Sequence, residues 1–347
     1  MPNRERHKGV TISDVAAAAG VSPGAVSKVF NGRGKISAAT SQRIREAARL
    51  LNWSPRASAV ALRRSRSNTV GLVLHRSTST GIADSRTLLI EGIESVLTPR
   101  DYGLLLHTSD HSAVEDDRVY RLMADSKRVD GVILIESGVE DHRFALLQEL
   151  QLPAVLLGTP WKNAPFPHVD ADPPSAGIPE SVQLLAGLGH RHIAYIGGPG
   201  SSAQAVLRRE AYEQAIAVAG LTSAATIDAA YSADAAAENT SRVLTLPARP
   251  TAIMYGSDSM AIAGIRSARL HGLSVPAQLS VIGFEGLPVG EWTEPQLTTV
   301  QRNPAQRGRA AAARLLRLLG TTVEDEHPLE RPYLIVRGST APPATPR

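Results

Sequence analysis

The side chains best placed to do chemistry at the start of this sequence are cations rather than nucleophiles. Residues 1–67 hold 13 Lys and Arg against three acids, Glu5, Asp14 and Glu46, a balance of +10. The rest holds 24 basic and 30 acidic residues, a balance of −6. A basic head on an acidic body is the footprint of a polyanionic partner, nucleic acid or an anionic membrane surface, because each neutralised phosphate releases condensed counterions. A disordered basic tail would carry the same charge, so the readings separate on whether the head has a fold of its own.

The body offers little catalytic chemistry. With no Cys among 347 residues, thiolate metal sites, disulfides and a cysteine nucleophile are excluded, which suits a reducing compartment. There is no HExxH, no Gly-x-Ser-x-Gly and no P-loop, and the scattered His107, His111, His142, His168, His190 and His192 lack helical metal spacing. Gly197-Gly-Pro-Gly200-Ser-Ser follows an apolar run, where backbone N–H groups could cradle a phosphate, but a tight strand-to-helix turn accounts for the glycines without a ligand. No catalytic residue, metal or cofactor is therefore expected. No stretch approaches the roughly 18 apolar residues of a membrane span, and Met1 to Lys8 is charged, so a cytoplasmic protein without a membrane partner is expected.

The elements that must carry the cations read as three short helices. Thr11-Ile-Ser-Asp14 has capping-box spacing and Gly20 supplies a stop. Ser22 then caps a helix with Pro23 in its first turn, running to Phe30 before Asn31-Gly32 breaks it; a third helix follows Ser37 to about Leu51. Two helices joined by Gly20-Val-Ser22 make a helix-turn-helix, whose second helix can enter the major groove. Val26 and Val29 face the core, which turns Ser27 and Lys28 outward toward phosphates and base edges.

From Thr69 apolar strands alternate with helices: Val70–Leu74, Gly103–His107, Gly131–Ile135, Ala154–Leu157, Ile193–Ile196, Thr251–Met254 and Leu279–Gly283. Nearly unbroken apolar strands separated by helices predict doubly wound parallel sheets, and this many suit two α/β subdomains with a ligand site beyond the carboxyl ends of the strands.

Thr11-Ile-Ser-Asp-Val-Ala, Ala19-Gly-Val-Ser22, Val26-Ser-Lys-Val-Phe-Asn-Gly32, Ile36-Ser-Ala-Ala-Thr40 and Leu51-Asn-Trp-Ser-Pro55 together resemble the headpiece of the lactose/galactose repressor (LacI/GalR) family, and the likeness continues through the body to Ser339-Thr340. The resemblance implies an effector-responsive transcriptional regulator, most often a repressor, that binds a pseudo-palindromic double-stranded operator as a homodimer. It marks Thr11, Ser22, Pro23, Gly24, Ala25, Ser27, Lys28 and Asn31 for the DNA face. It also marks Arg56, Leu62 and Arg63 in a hinge helix, with Leu62 wedged into the minor groove. Pro23, Gly24 and Ala25 offer no side-chain donor and Lys28 stands for the usual Arg, so base reading is expected to be sparse.

In the body, Arg208 four residues before Tyr212, Asp258 in Ser257-Asp-Ser-Met-Ala261 and Glu285 in Gly283-Phe-Glu-Gly286 fit effector-binding elements of that family, with Ser77 and Ser79 facing them from the other subdomain. A helix cap remains the alternative for Asp258. Gly158, Pro173 and Gly286 stand where acids or Asn are usual, which puts a typical hexose site in doubt and leaves another sugar, a nucleoside-like compound or a different polar metabolite open.

The expected organisation is a headpiece over 1–55, a hinge over 56–67, an effector-binding and dimerisation body over 68–340, and a disordered tail over 341–347. Within the body the N-subdomain takes about 68–166 plus 301–323, and the C-subdomain about 167–300 plus 324–340, as in periplasmic sugar-binding proteins. Two further classes stay in view: an enzyme with a nucleic-acid-binding head, and an exported solute receptor, the latter opposed by the basic head and the lack of a signal peptide.

Overall fold

A computed structural model describes residues 10–30, 35–53, 66–75, 85–110, 112–169, 175–324 and 329–344. By its internal packing the chain divides into two units, Met1–Asn68 and Thr69–Arg347. Of the expected site residues, Asn31, Arg56, Leu62, Arg63, Ser77 and Ser79 lie outside the described residues.

The head is folded. Helices α1 (Ile12–Ala19), α2 (Pro23–Phe30) and α3 (Ala38–Leu50) follow the predicted signals. The Asp14 carboxylate accepts from the Thr11 N–H at 2.7 Å, Gly20 closes α1 at φ +66°, and Ser22 and Ser37 accept from the N–H groups of Ala25 and Thr40. Val15, Val26, Val29 and Ile44 are buried against one another. Phe30 and Trp53 close the rim edge to face, with ring centres 5.3 Å apart. A charge-only tail is thereby set aside.

In the body, the N-subdomain sheet is built from β1 (Thr69–His75), β2 (Gly103–Ser109), β3 (Gly131–Ile135), β4 (Ala154–Leu157) and β5 (His168–Val169). They are parallel in the order β2-β1-β3-β4-β5, with α4 (Ser85–Leu97), α5 (Ala113–Asp125) and α6 (Arg143–Glu149) among the connections. Alternate strand residues supply two cores, Ile133, Ile135 and Val155 on one face, Val132, Leu134 and Leu156 on the other. That is why these strands read as unbroken apolar runs.

The C-subdomain follows with α7 (Ile178–Leu188), β6 (His192–Gly197), α8 (Ala203–Val218), β7 (Thr222–Asp228), α9 (Ala233–Leu244), β8 (Ala252–Tyr255), α10 (Asp258–Leu270), β9 (Ser280–Glu285) and β10 (Thr298–Gln301). Helix α11 (Pro304–Leu318) then packs Ala311, Ala312, Leu315 and Leu316 into the first core, and β11 (Tyr333–Ile335) returns as an antiparallel edge in the order β11-β10-β9-β8-β6-β7. The chain therefore crosses between the subdomains three times.

The first two crossings fall close to where they are expected: His168 and Val169 still pair with Leu156 and Leu157, and Gln301 still pairs with Glu285 and Tyr333 before the chain returns. One expected boundary moves. The tail expected from 341 is docked at its start: the Ala341 N–H donates to Ser280 Oγ, and its carbonyl accepts from Ser280 Oγ and lies 3.0 Å from His190 Nε2. Burial lowers the pKa of His190, whose ring also meets Thr251, so this histidine is structural. Strand β7, Thr-Ser-Ala-Ala-Thr-Ile-Asp, escapes the apolar-run criterion because it is a half-exposed edge.

Helices α4 and α11 meet with almost no side chain between them. A Cβ on Gly92 would lie 2.0 Å from the Ala305 carbonyl oxygen, and one on Gly308 would lie 2.3 Å from that of Leu89. Both obstacles are backbone, so neither can swing away. Gly92→Val is expected to destabilise the body by about 3 kcal/mol, the upper end of overpacking costs. Urea denaturation checks this, and an unchanged midpoint would show that the two helices tolerate separation.

Candidate functional site

On the head, Pro23, Gly24 and Lys28 of α2 are exposed, as is Ser22 just before it, while Ala25 and Ser27 are half-buried, so Lys28 faces outward as predicted and Ser27 does so only in part. Lys28, Lys35, Arg43, Arg45 and Arg49 are exposed cations, and the pKa of Asp14 on α1 is lowered by the Thr11 N–H and hydroxyl. Thr11 Oγ1 donates to Asp14 and Ser22 Oγ accepts from Ala25, so these two side chains build the helix starts they belong to.

In the body, a small cleft opens between the subdomains, lined from both of them. Its N-subdomain wall carries Ser85, Arg86 and Leu89 at the start of α4, Ile135 and Glu136 at the end of β3, and Leu157 at the end of β4. The C-subdomain wall carries Gln204 and Arg208 on α8, Glu285 at the end of β9 and Arg302 just past β10; Pro304 and Arg307, at the start of α11, join the N-subdomain rim beside α4. Most of these positions follow the carboxyl end of a parallel strand or begin the next helix, where backbone polar groups face outward.

Arg208 is only 4% exposed and is held rigidly. Its guanidinium carbon stands 3.9 Å from the centre of the Phe284 ring, Nη1 donates to the Gly256 carbonyl at 3.1 Å, and Nη2 donates to Gln204 Oε1 at 3.4 Å. Glu285 adopts φ +123°, a conformation costing about 1–3 kcal/mol that surrounding structure must impose and that concentrates at ligand clamps. Its Oε1 accepts from the Ser85 hydroxyl across the cleft at 3.2 Å, and its carbonyl accepts from the Arg302 N–H at 3.1 Å. Opposite, Glu136 lies 3.6 Å from Arg86, and the buried Arg143, paired with Asp141, donates to the Glu136 carbonyl at 2.6 Å.

Arg208 and Glu285 thus come together in the cleft, as expected. Asp258 does not. It is fully buried behind the wall, where its carboxylate accepts from the Leu287 N–H at 2.6 Å and from the Thr299 hydroxyl. Burial raises its pKa against the pull of those donors. Ser257, not Asp258, is the N-cap of α10, accepting from the Met260 N–H. Asp258 ties the 285–287 turn to α10 and so positions Glu285 from behind.

Ser85, Arg86, Glu136, Gln204, Arg302 and Arg307 were not singled out by sequence. Two signals could have found some of them. Gln204 is one helical turn before Arg208, and Glu136 immediately follows the apolar strand β3. Gly158 shows why an acid is absent there: its φ of +128° is a backbone conformation that side chains rarely adopt.

Comparison with known proteins places this geometry in context. Residues 11–56 match the bacterial regulatory proteins of the lacI family, and residues 182–340 match the periplasmic binding protein-like domain. The HTH-type transcriptional regulator CelR of Thermobifida fusca is 31% identical over 343 residues, covering 96% of this chain and 99% of that one. Among solved structures, the lac repressor dimer bound to operator and the anti-inducer ONPF superposes with a TM-score of 0.84 at 26% identity, covering 96% of this chain and all of the other. A CelR–cellobiose complex superposes with a TM-score of 0.70 at 29% identity, covering 95% and 99%. Head, two parallel-sheet subdomains and near-complete mutual coverage agree: the chain belongs to the LacI family of DNA-binding transcriptional regulators, and its role is regulatory rather than enzymatic.

Proposed function

We propose that this protein is a repressor that binds a pseudo-palindromic operator as a homodimer, and that a small polar, sugar-like effector in the inter-subdomain cleft sets its operator affinity. The observation that carries the reading is that both walls of one cleft come from subdomains joined by three chain crossings. A ligand touching both walls necessarily prefers one arrangement of them over another, and only such a preference can shift an equilibrium, by tenfold for each 1.4 kcal/mol. The operator-bound lac repressor dimer and the cellobiose complex of CelR support the two halves of the proposal.

On the DNA side, α2 presents Lys28 with Pro23, Gly24 and Ala25, so phosphate contacts outweigh base contacts. Thr11, Ser22, Ser27 and Asn31 supply polar groups to that face, and Arg56, Leu62 and Arg63 complete it from the hinge, with Leu62 as the minor-groove wedge. On the effector side, Arg208 and Glu285 hold the ligand from the C-subdomain, with Ser77 and Ser79 contributing from the segment that leads into α4.

Operator affinity, read by fluorescence anisotropy, is expected to fall about 10³–10⁵-fold between 50 and 200 mM salt, as for about 6–10 phosphate contacts. A flat titration on all duplexes would defeat the assignment of the head. Arg208→Ala should leave ligand-free operator binding within about twofold if the ligand is an inducer, since an unoccupied cleft contributes no ligand preference, while abolishing the response to ligand. If the ligand is a corepressor, the same variant should fail to acquire tight binding. An undiminished response would remove Arg208 from the site.

A further inference from the structure

The two walls of the cleft differ in chemistry. The strands and α4 of the N-subdomain contribute Leu89, Ile135 and Leu157 beside Ser85 and one ion pair, Arg86 with Glu136, that is neutral in sum. The remaining charge among the described lining residues is three guanidiniums, Arg208, Arg302 and Arg307, against the single carboxylate of Glu285. Arg208 and Arg302 are 4% and 7% exposed, and their guanidinium carbons lie 3.9 and 5.9 Å from the centre of the same ring, Phe284. Arg307 enters just after the second crossing, between Ala305 and Gly308, the α11 positions that the glycine contacts clamp onto the N-subdomain.

Gly158 and Gly286, at φ +128° and +73°, add no carboxylate beside the cleft, since side chains rarely adopt either conformation. Like charges fixed around one ring in a low-dielectric cleft repel one another, and an anion placed among them is attracted by all of them. Guanidiniums also meet carboxylates and phosphates with two parallel N–H donors, which a neutral hydroxyl cannot match.

We infer that the effector is an acidic small molecule, with a carboxylate or phosphate seated among Arg208, Arg302 and Arg307 and its less polar face against Leu89, Ile135 and Leu157. A sugar acid and a sugar phosphate both have this form. The inference rests on the reading of the cleft as the effector site and adds the charge of its ligand.

The test uses the full-length protein at constant ionic strength, titrated by calorimetry with glucose, glucuronate, glucose 6-phosphate, cellobiose and inorganic phosphate. An acidic member is expected to bind at least about tenfold more tightly than its neutral parent, in line with charge-assisted bonding. Inorganic phosphate should compete with it, and comparison of glucuronate with glucose 6-phosphate tells carboxylate from phosphate. Arg302→Gln and the less buried Arg307→Gln, each first shown to unfold at the parent temperature, should each lose most of that preference. The inference is overturned if a neutral sugar binds as tightly as its acidic counterpart, if neither acid nor phosphate binds saturably at millimolar concentration, or if folded variants keep the preference. Operator anisotropy separates the two readings. A neutral sugar that moves operator affinity leaves the effector cleft standing and removes only its charge preference. An acid that binds through Arg302 without moving operator affinity leaves the charge preference and removes the switch.

Discussion

The body of this protein depends on one return of the chain. After β10 completes its place in the second sheet, the backbone crosses back and lays α11 on the first, where Gly92 and Gly308 let the backbones of α4 and α11 touch. Without that return the two subdomains would be joined by a single passage, and their facing strand ends would have no fixed relation. With it, Ser85, Arg86 and Leu89 on α4 and Arg307 on α11 are set at a fixed spacing along one rim of the cleft. The close approach needs glycine for a packing reason, not for backbone freedom, since any Cβ meets a carbonyl.

The cleft itself is made of the groups that parallel strands leave over. Glu136, Gly158, Glu285 and Arg302 all stand at or just past carboxyl ends, and buried partners hold them there: Arg143 with Asp141 behind Glu136, Asp258 with Thr299 behind Glu285. The Glu285 backbone, at φ +123°, is held in a conformation that the surrounding structure must impose. Its link to Ser85 spans the two subdomains, so whatever displaces that hydroxyl also bears on how the walls meet.

The head and the seven apolar strands were legible in the sequence because each rests on a local rule, capping residues or apolar runs, whereas the placing of Arg208 and Glu285 in one cleft rested on the family resemblance. What escaped depends on tertiary context. Strand β7 is polar because it lies at an edge, β5 is two residues long, and β11 pairs antiparallel after a crossing that no local pattern announces. Asp258 was the instructive case. Its place at a strand-to-helix junction matched a ligand-binding element and a helix cap equally well, and only the positions of Leu287 and Thr299 show that its carboxylate faces backward. Arg302 and Arg307 were invisible for a similar reason, since nothing local says that the end of β10 and the start of α11 open onto the same space.

The central claim is that the arrangement of the two subdomains, not ligand binding as such, sets operator affinity. The structure offers a direct way to fix that arrangement. Gly138 and Ser202 face each other across the subdomains in an isolated antiparallel bridge, flanked by Val139 N–H to Ser201 O and Ala203 N–H to Ser137 O, each 2.9 Å. Such a pair has Cα atoms about 4.5 Å apart, within disulfide reach. A Cβ on Gly138 meets nothing closer than 3.8 Å, and the chain has no cysteine to interfere. Operator affinity should be measured on the Gly138→Cys, Ser202→Cys protein, oxidised and reduced, with and without a ligand that moves the parent. The account predicts a single affinity for the oxidised protein, unchanged by ligand, and a restored response on reduction. An oxidised protein that responds as fully as the reduced one would contradict it.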